Sequence, residues 1–166
     1  DSRCRLIMSL LVLGLNHRTA PIEVRERIVF DALRLPGVLA ELARVPGVLE
    51  CMIVSTCNRT EVYCVTGDES SQLSAWLLAH AGDLPVPADC LYQFRDQEAV
   101  NHLFGVAAGL DSLILGEPQI LGQLKTQFEN AAALDAAGPV LFRVFHKSFS
   151  VAKRVRTETG VAARAV

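Results

Sequence analysis

Cys57 is the residue of this sequence whose side chain is best suited to chemistry. It follows an apolar run in the segment IVSTCNRTEVY. A thiolate is a strong nucleophile, and positive charge or hydrogen-bond donors nearby favour it. Thr56 and Asn58 supply short polar groups, and Arg59 supplies a fixed cation. Burying such a polar cluster without partners is costly. We therefore predict that Cys57 ends a strand. From the residues alone two alternatives stay open: a reactive thiol that faces a cleft, and the more common buried, unreactive cysteine.

His102 is the second candidate, in the segment VNHLFG. Its predicted helix is apolar at Leu103 and Phe104, which favours a histidine that only packs. The functional alternative is a base, an acid or an orienting group beside the thiol, because Cys–His pairs recur in nucleophilic catalysis. His17 directly follows the first predicted strand and could reach the same cleft if both strands end on one side of the sheet.

A third feature is the segment LDSLILGEPQILGQ, where Gly116 and Pro118 break the helical pattern. Glu117 then lies at a helix start, where a carboxylate favours the helix dipole. Three glutamines follow at four-residue spacing, which places them in one stripe: Gln119, Gln123 and Gln127. Such a stripe is often simply solvated. Beside a polar loop that carries Ser112 and Glu117, it could instead recognise a small charged molecule.

The last predicted helix carries Arg143, Lys147 and Arg154, with Lys153 and Arg156 nearby. A basic face of this kind is usually solvated. The sharper alternative is contact with a nucleic-acid phosphate backbone.

Composition limits the possible classes of protein. The chain has 166 residues and a net charge of −2, which argues against a strongly basic nucleic-acid-binding protein. Its five cysteines form no C-x-x-C pair, so we expect neither a metal site nor a disulfide framework, and we expect a cytoplasmic location. The apolar run near the N-terminus is too short for a membrane span. Met8 is a candidate natural start. Because no glycine-rich phosphate-binding motif occurs, we expect no nucleotide site.

The elements that must position these residues follow the order β-α-β-β-α-β over residues 9–95. Two strands flank the Cys57 turn and predict an antiparallel hairpin. The whole pattern predicts an α+β, ferredoxin-like antiparallel sheet with helices on one face. Residues 96–138 are predicted to be helical, with a break at Gly116–Pro118. A long helix is expected to start at Pro139.

Four blocks of the sequence resemble the glutamyl-tRNA reductase family in the same order. They are GLNHRTAPIEVRER, STCNRTEVY, HLFGVAAGLDSLILGEPQILGQLKTQF and VAKRVRTETG. Together they extend over residues 10–160. The resemblance implies a catalytic, glutamate-recognising domain over residues 9–138 and the start of a long connecting helix over 139–160.

The resemblance also implies a reaction in tetrapyrrole (porphyrin) biosynthesis. The Cys57 thiolate would attack the ester of glutamyl-tRNA to give a thioester, and NADPH would reduce it to glutamate-1-semialdehyde. Arg59 would pair with a glutamate carboxylate, and His102 matches a histidine important for activity. The family's other substrate contacts would fall on Thr56, Asn58, Ser112, Glu117, Pro118, Gln119 and Gln123.

Family members continue into an NADPH-binding domain and a dimerisation domain, which these 166 residues do not include. We therefore expect this chain to form the thioester but not to reduce it, so that water slowly releases the acyl group. The resemblance implies glutamyl-tRNA and glutamate-1-semialdehyde aminotransferase as partners, and a homodimer for the full-length enzyme. The resemblance implies no association with a membrane.

Two other functions remain open from the residues alone. One is a Cys–His thiol hydrolase or esterase. The other is a non-catalytic module that binds tRNA or a protein, in which Cys57 is incidental.

Overall fold

The computed structural model of the chain describes residues 8–67 and 72–159. The expectation that Met8 is a natural start concerns residues 1–7, which lie outside these ranges, as does the predicted last residue of the connecting helix, residue 160.

The strands form one four-stranded sheet in the order β2-β3-β1-β4. They are β1 (Ser9–Asn16), β2 (Val48–Ser55), β3 (Arg59–Thr66) and β4 (Tyr92–Arg95). Every neighbouring pair is antiparallel. This is the strand order of the split βαβ arrangement, so the predicted α+β fold is confirmed.

The helices also follow the predicted order. They are α1 (Ile22–Arg25), α2 (Leu35–Ala43), α3 (Gln72–Ala79), α4 (Asp96–Ala107), α5 (Gln119–Ala133) and α6 (Pro139–Thr159). A 3-10 turn (Glu26–Ile28) extends α1, and a second one (Ala88–Cys90) precedes β4. Gly116 lies in the loop between α4 and α5 and has a φ of 77°, which glycine adopts readily.

Both faces of the sheet are covered, because successive side chains of β3 point to opposite faces and all are buried. On one face the Thr60 hydroxyl donates to the carbonyl of Ile28, which follows α1. On the other face the Tyr63 ring lies 5.1 Å from the ring of Phe145 on α6. The C-terminal helices, which the sequence left unplaced, therefore cover the second face.

The described residues contain no helix with the combined length and hydrophobicity of a membrane span.

Candidate active site

The turn between β2 and β3 carries Cys57, whose side chain is exposed. The amide N–H of Thr56 donates to the carbonyl of Arg59 at 2.8 Å and closes the turn. The amide N–H of Asn58 donates to the Thr56 hydroxyl at 3.2 Å. Cys57 therefore lies in an exposed turn just after the end of β2, at the strand end that the sequence predicted.

The backbone of this turn is held by the segment that follows β1. The His17 amide donates to the Asn58 carbonyl at 2.9 Å. The Arg25 guanidinium donates to the Cys57 carbonyl at 3.0 Å and to the Asn58 side-chain oxygen at 3.3 Å. His17 thus approaches the turn, as expected if both strands end on one side. Arg25 was not identified from the sequence, because nothing in its local pattern distinguishes it from a surface arginine.

Helix α5 holds the turn from the side of β2. The Gln127 side-chain amide accepts from Ser55 N–H at 3.0 Å and donates to the Ser55 carbonyl at 2.9 Å. Gln127 thereby occupies the backbone groups of an edge strand immediately before the turn. The three glutamines predicted as one stripe consequently have different roles, since Gln119 and Gln123 line a pocket and Gln127 anchors the strand.

One small pocket, with about 60 Å³ of space, opens beside the thiol. We call it the polar pocket. Eight of the ten predicted site residues line it: Thr56, Cys57, Asn58, Arg59, Ser112, Glu117, Gln119 and Gln123. Ile120, which was not predicted, lines it as well. The remaining two, Pro118 and His102, are not part of its wall.

Arg59 connects the hairpin to the loop that carries Ser112. Its side chain is only 3 % exposed. One terminal nitrogen donates to the backbone carbonyl of Asp111 at 2.7 Å and to its carboxylate at 3.1 Å, and the other lies 3.4 Å from Glu61. Burial lowers the pKa of Arg59, but the nearby Glu61 and the other negative groups outweigh this effect and raise it. Both terminal nitrogens of Arg59 already have partners within the chain. Direct pairing of Arg59 with a substrate carboxylate stays a prediction.

Glu61 is a fully buried carboxylate on the same face of β3 as Arg59. The Tyr63 hydroxyl donates to it at 2.9 Å, and the Tyr92 hydroxyl and the His102 Nε2 also contact it. Burial by itself would raise the pKa of Glu61, but His102, Arg59 and Tyr92 together lower it to about 2. We call these residues the buried cluster. His102 therefore belongs to the buried cluster and does not line the polar pocket beside the thiol.

Gly14 makes room for this carboxylate, because it faces Glu61 across β1 and β3. A Cβ atom at position 14 would lie 2.5 Å from the Thr60 carbonyl oxygen and 2.8 Å from the Glu61 Cγ. Only a residue without a side chain fits there. The alternation of Arg59, Glu61 and Tyr63 along one strand was a sequence signal that could have identified this cluster.

The loop that carries Ser112 and Glu117 is closed at its base by two glycines. The Gly116 amide donates to the Gly109 carbonyl at 2.9 Å. From α6, the Arg156 guanidinium donates to the carbonyls of Glu117 at 2.8 Å and Pro118 at 3.4 Å. We call residues 109–118 the pocket loop.

The basic face of α6 therefore divides into two groups. Arg143 and Lys147 are exposed, and Arg154 pairs with Glu158 in the solvent at 3.4 Å. Arg156 was grouped with them from the sequence, which was wrong. Its guanidinium points inward and is partly desolvated, which lowers its pKa.

The other described cysteines differ from Cys57. Cys51, Cys64 and Cys90 are buried. Burial raises the pKa of the Cys51 thiol to about 11, and it raises the pKa values of Cys64 and Cys90 as well. These three cysteines consequently act as small core residues, and the described cysteine that remains accessible is Cys57.

The part of the chain that the structure describes offers no cluster of three or more histidine, cysteine or acidic side chains for a metal ion. In the same ranges, no strand passes through a glycine-rich turn into a helix N-terminus. That turn is the element that holds a dinucleotide pyrophosphate in doubly wound folds.

The chain is similar to known proteins in sequence and in fold. Residues 13–159 match a family model described as Glutamyl-tRNAGlu reductase, N-terminal domain. A glutamyl-tRNA reductase from Stenotrophomonas maltophilia is 52% identical over 159 residues, which cover 96% of this chain and 36% of the relative. One from Xanthomonas campestris pv. campestris is 53% identical with the same coverage.

A solved structure, glutamyl-tRNA reductase from Methanopyrus kandleri, is similar with a TM-score of 0.75 and 29% identity. The match covers 90% of this chain and 34% of that chain. The chain therefore spans about a third of the length of these relatives.

Proposed function

The chain belongs to the glutamyl-tRNA reductase family, where it corresponds to the N-terminal domain, and from this premise we propose that Cys57 forms a thioester with the glutamyl group of glutamyl-tRNA. The observation that carries the proposal is the polar pocket. Its wall brings an exposed thiol together with side chains from the hairpin, the pocket loop and α5. Its space of about 60 Å³ holds roughly four to six water-sized groups, which suits a glutamyl side chain.

In the proposed step, the Cys57 sulfur attacks the ester carbonyl carbon. A carbon–sulfur bond forms and the bond to the terminal ribose oxygen breaks. The proton of the thiol ends on that ribose oxygen, so the products are uncharged tRNA and a glutamyl thioester. Because the turn is held by Arg25, His17 and Gln127, the sulfur keeps a fixed position relative to the pocket, and such positioning contributes strongly to rate.

The lining residues would recognise the charged ends of the glutamyl group. Glu117 suits the α-ammonium group, and the amides of Gln119 and Gln123 suit the side-chain carboxylate. Arg59 adds positive charge at the wall and fixes the pocket loop through Asp111. His102 then acts as a positioning residue, since it bonds Glu61, which in turn faces Arg59.

The family extends the proposal to the full-length protein. There NADPH would supply the hydride that reduces the thioester to glutamate-1-semialdehyde. A dimerisation domain would form the homodimer, and the product would pass in the cytoplasm to its aminotransferase. We expect this chain by itself to carry the reaction only as far as the thioester.

The test is an acid-quenched incubation of the chain with glutamyl-tRNA that carries a radiolabelled glutamyl group. We expect a protein-bound label that neutral hydroxylamine releases, and no label on Cys57→Ser. Label that persists in Cys57→Ser, or no label on the wild-type chain, would refute the thioester.

Thiol reactivity separates this proposal from a binding module in which Cys57 is incidental. We expect iodoacetamide at neutral pH to modify Cys57 well before Cys51 or Cys90, which are buried. Equal rates would favour the binding module. A simple Cys–His hydrolase is disfavoured, because the His102 Nε2 is engaged by Glu61 and His102 does not line the polar pocket.

A further inference from the structure

Cys57 and Thr56 also line a second, much larger pocket. This pocket has about 610 Å³ of space and lies between α2 and α5, against the end of β2. We call it the apolar pocket. Its walls are mostly hydrocarbon. The largest apolar residues that line it are Phe30, Leu35, Pro36, Leu39, Ile53 and Leu134. The reactive sulfur thus lies at the boundary between two sites of different chemistry.

An ester has two halves that meet at the carbonyl carbon. If the acyl half enters the polar pocket, the alcohol half must leave on another side of the same sulfur. For glutamyl-tRNA the alcohol is the ribose of the 3′-terminal adenosine, whose base has apolar faces and a hydrogen-bonding edge. We infer that the apolar pocket binds this terminal adenosine, an assignment that rests on the proposed function.

The charges that line the apolar pocket fit a nucleoside better than a phosphate. Asp31 is the charged side chain among its lining residues, and its carboxylate accepts from the Arg34 amide at 2.8 Å. With no cation among these lining residues, a phosphate would gain little there. A neutral base between apolar walls is stabilised by stacking and burial, as unpaired bases usually are.

One lining amide is placed to read the edge of the base. Gln127 is committed to Ser55 through both side-chain atoms. Asn130, one turn further along α5, lines the same pocket and is exposed. An asparagine amide pairs well with the N6 and N7 atoms of adenine. The structure therefore assigns base recognition to Asn130 and the packing of the base to the apolar walls.

The experiment measures how a short oligonucleotide protects Cys57 from iodoacetamide. The ligands are the trinucleotide CCA at millimolar concentration and the dinucleotide CC. We expect CCA to slow alkylation at least fivefold and CC to have little effect. CCA that protects no better than CC would overturn the inference.

Two variants of α5 provide a matched pair. Ala133 lines the apolar pocket, whereas Ala132 is also exposed but lines a separate pocket beside His146. We expect Ala133→Trp to abolish protection by CCA and Ala132→Trp to retain it, each measured against its own rate without ligand. Protection that survives in Ala133→Trp would place the adenosine elsewhere. Asn130→Ala should reduce protection several-fold.

The readouts also separate this inference from the proposed function. Acylation of Cys57 by glutamyl-tRNA without any protection by CCA would refute only the adenosine site. Protection by CCA in a chain that forms no thioester would refute only the proposed reaction.

Discussion

Cys57 and Glu61 lie four residues apart on one hairpin, yet their surroundings are opposite. Cys57 is exposed in a turn, and Glu61 is fully buried among Arg59, Tyr92 and His102. A turn beyond the sheet leaves a thiol accessible to a bulky ester. In the strand that follows, by contrast, alternate side chains point into the core. The difference indicates that the hairpin separates reactivity from positioning, with the thiol in solvent and the charges that hold the site inside.

Removal of the Glu61 carboxylate is the most severe test of this separation. In Glu61→Ala the buried Arg59 loses a charge partner, and His102 and Tyr92 lose their acceptor. We expect a loss of about 3–5 kcal/mol in the free energy of unfolding, measured with urea. Cys57→Ala should change it by only about 0.5 kcal/mol, because the side chain is exposed. Similar losses in both variants would remove the distinction between the two regions.

Acid should destabilise the fold through the buried cluster and not through the turn that carries Cys57. The folded-state pKa of Glu61 is about 2, below its ordinary value of 4.5. Its ionised form therefore stabilises the fold above pH ~4.5, and that contribution, about 3 kcal/mol, is lost as the pH falls toward 2. We expect the unfolding free energy of the wild type to fall more steeply over this window than that of Glu61→Gln. Parallel curves would contradict the lowered pKa.

Gly14→Ala tests whether the space above Glu61 is needed. The new Cβ would meet the backbone oxygen of Thr60 and the Glu61 side chain, and neither can move freely. We expect a loss of about 1–3 kcal/mol in the unfolding free energy. Gly105→Ala is the control, because nothing lies within 4 Å of its added Cβ and alanine favours a helix. A neutral Gly14→Ala would show that the cluster tolerates displacement.

Arg25→Ala tests the turn itself and should lower the free energy of unfolding by only about 1 kcal/mol. It removes the hydrogen bonds to the Cys57 carbonyl and to Asn58, so we expect acylation by glutamyl-tRNA to slow about tenfold. Arg27→Ala is the matched control, since Arg27 also donates to backbone carbonyls, at Ala81 and Leu84, away from the turn. Equal acylation rates in the two variants would exclude a positioning role for Arg25.

Much of this arrangement was predictable because it depends on local pattern. The hairpin around Cys57 follows from two strand-like runs with a short polar connection. The break before α5 follows from Gly116 and Pro118. The residues of the polar pocket were predicted together only through the family resemblance, since chemistry alone treated Cys57 and the glutamines separately.

The contacts that depend on distant segments were not predictable in the same way. Asp111 reaches Arg59 across 52 positions of the chain, and His102 reaches Glu61 across 41. No periodicity within a helix or strand encodes such a pair. Gln127 shows the same limit, because its spacing from Gln123 suggested a common stripe while its partner, Ser55, lies on another element.

Arg156 has a mechanical consequence. Its guanidinium holds the carbonyls of Glu117 and Pro118, and its position on α6 is set by a helix packed against α4. A force that turns or bends the end of α6 is therefore applied directly to the pocket loop, at the two residues that precede α5. Because Glu117 lines the polar pocket, a displacement of the end of α6 would move one wall of that pocket.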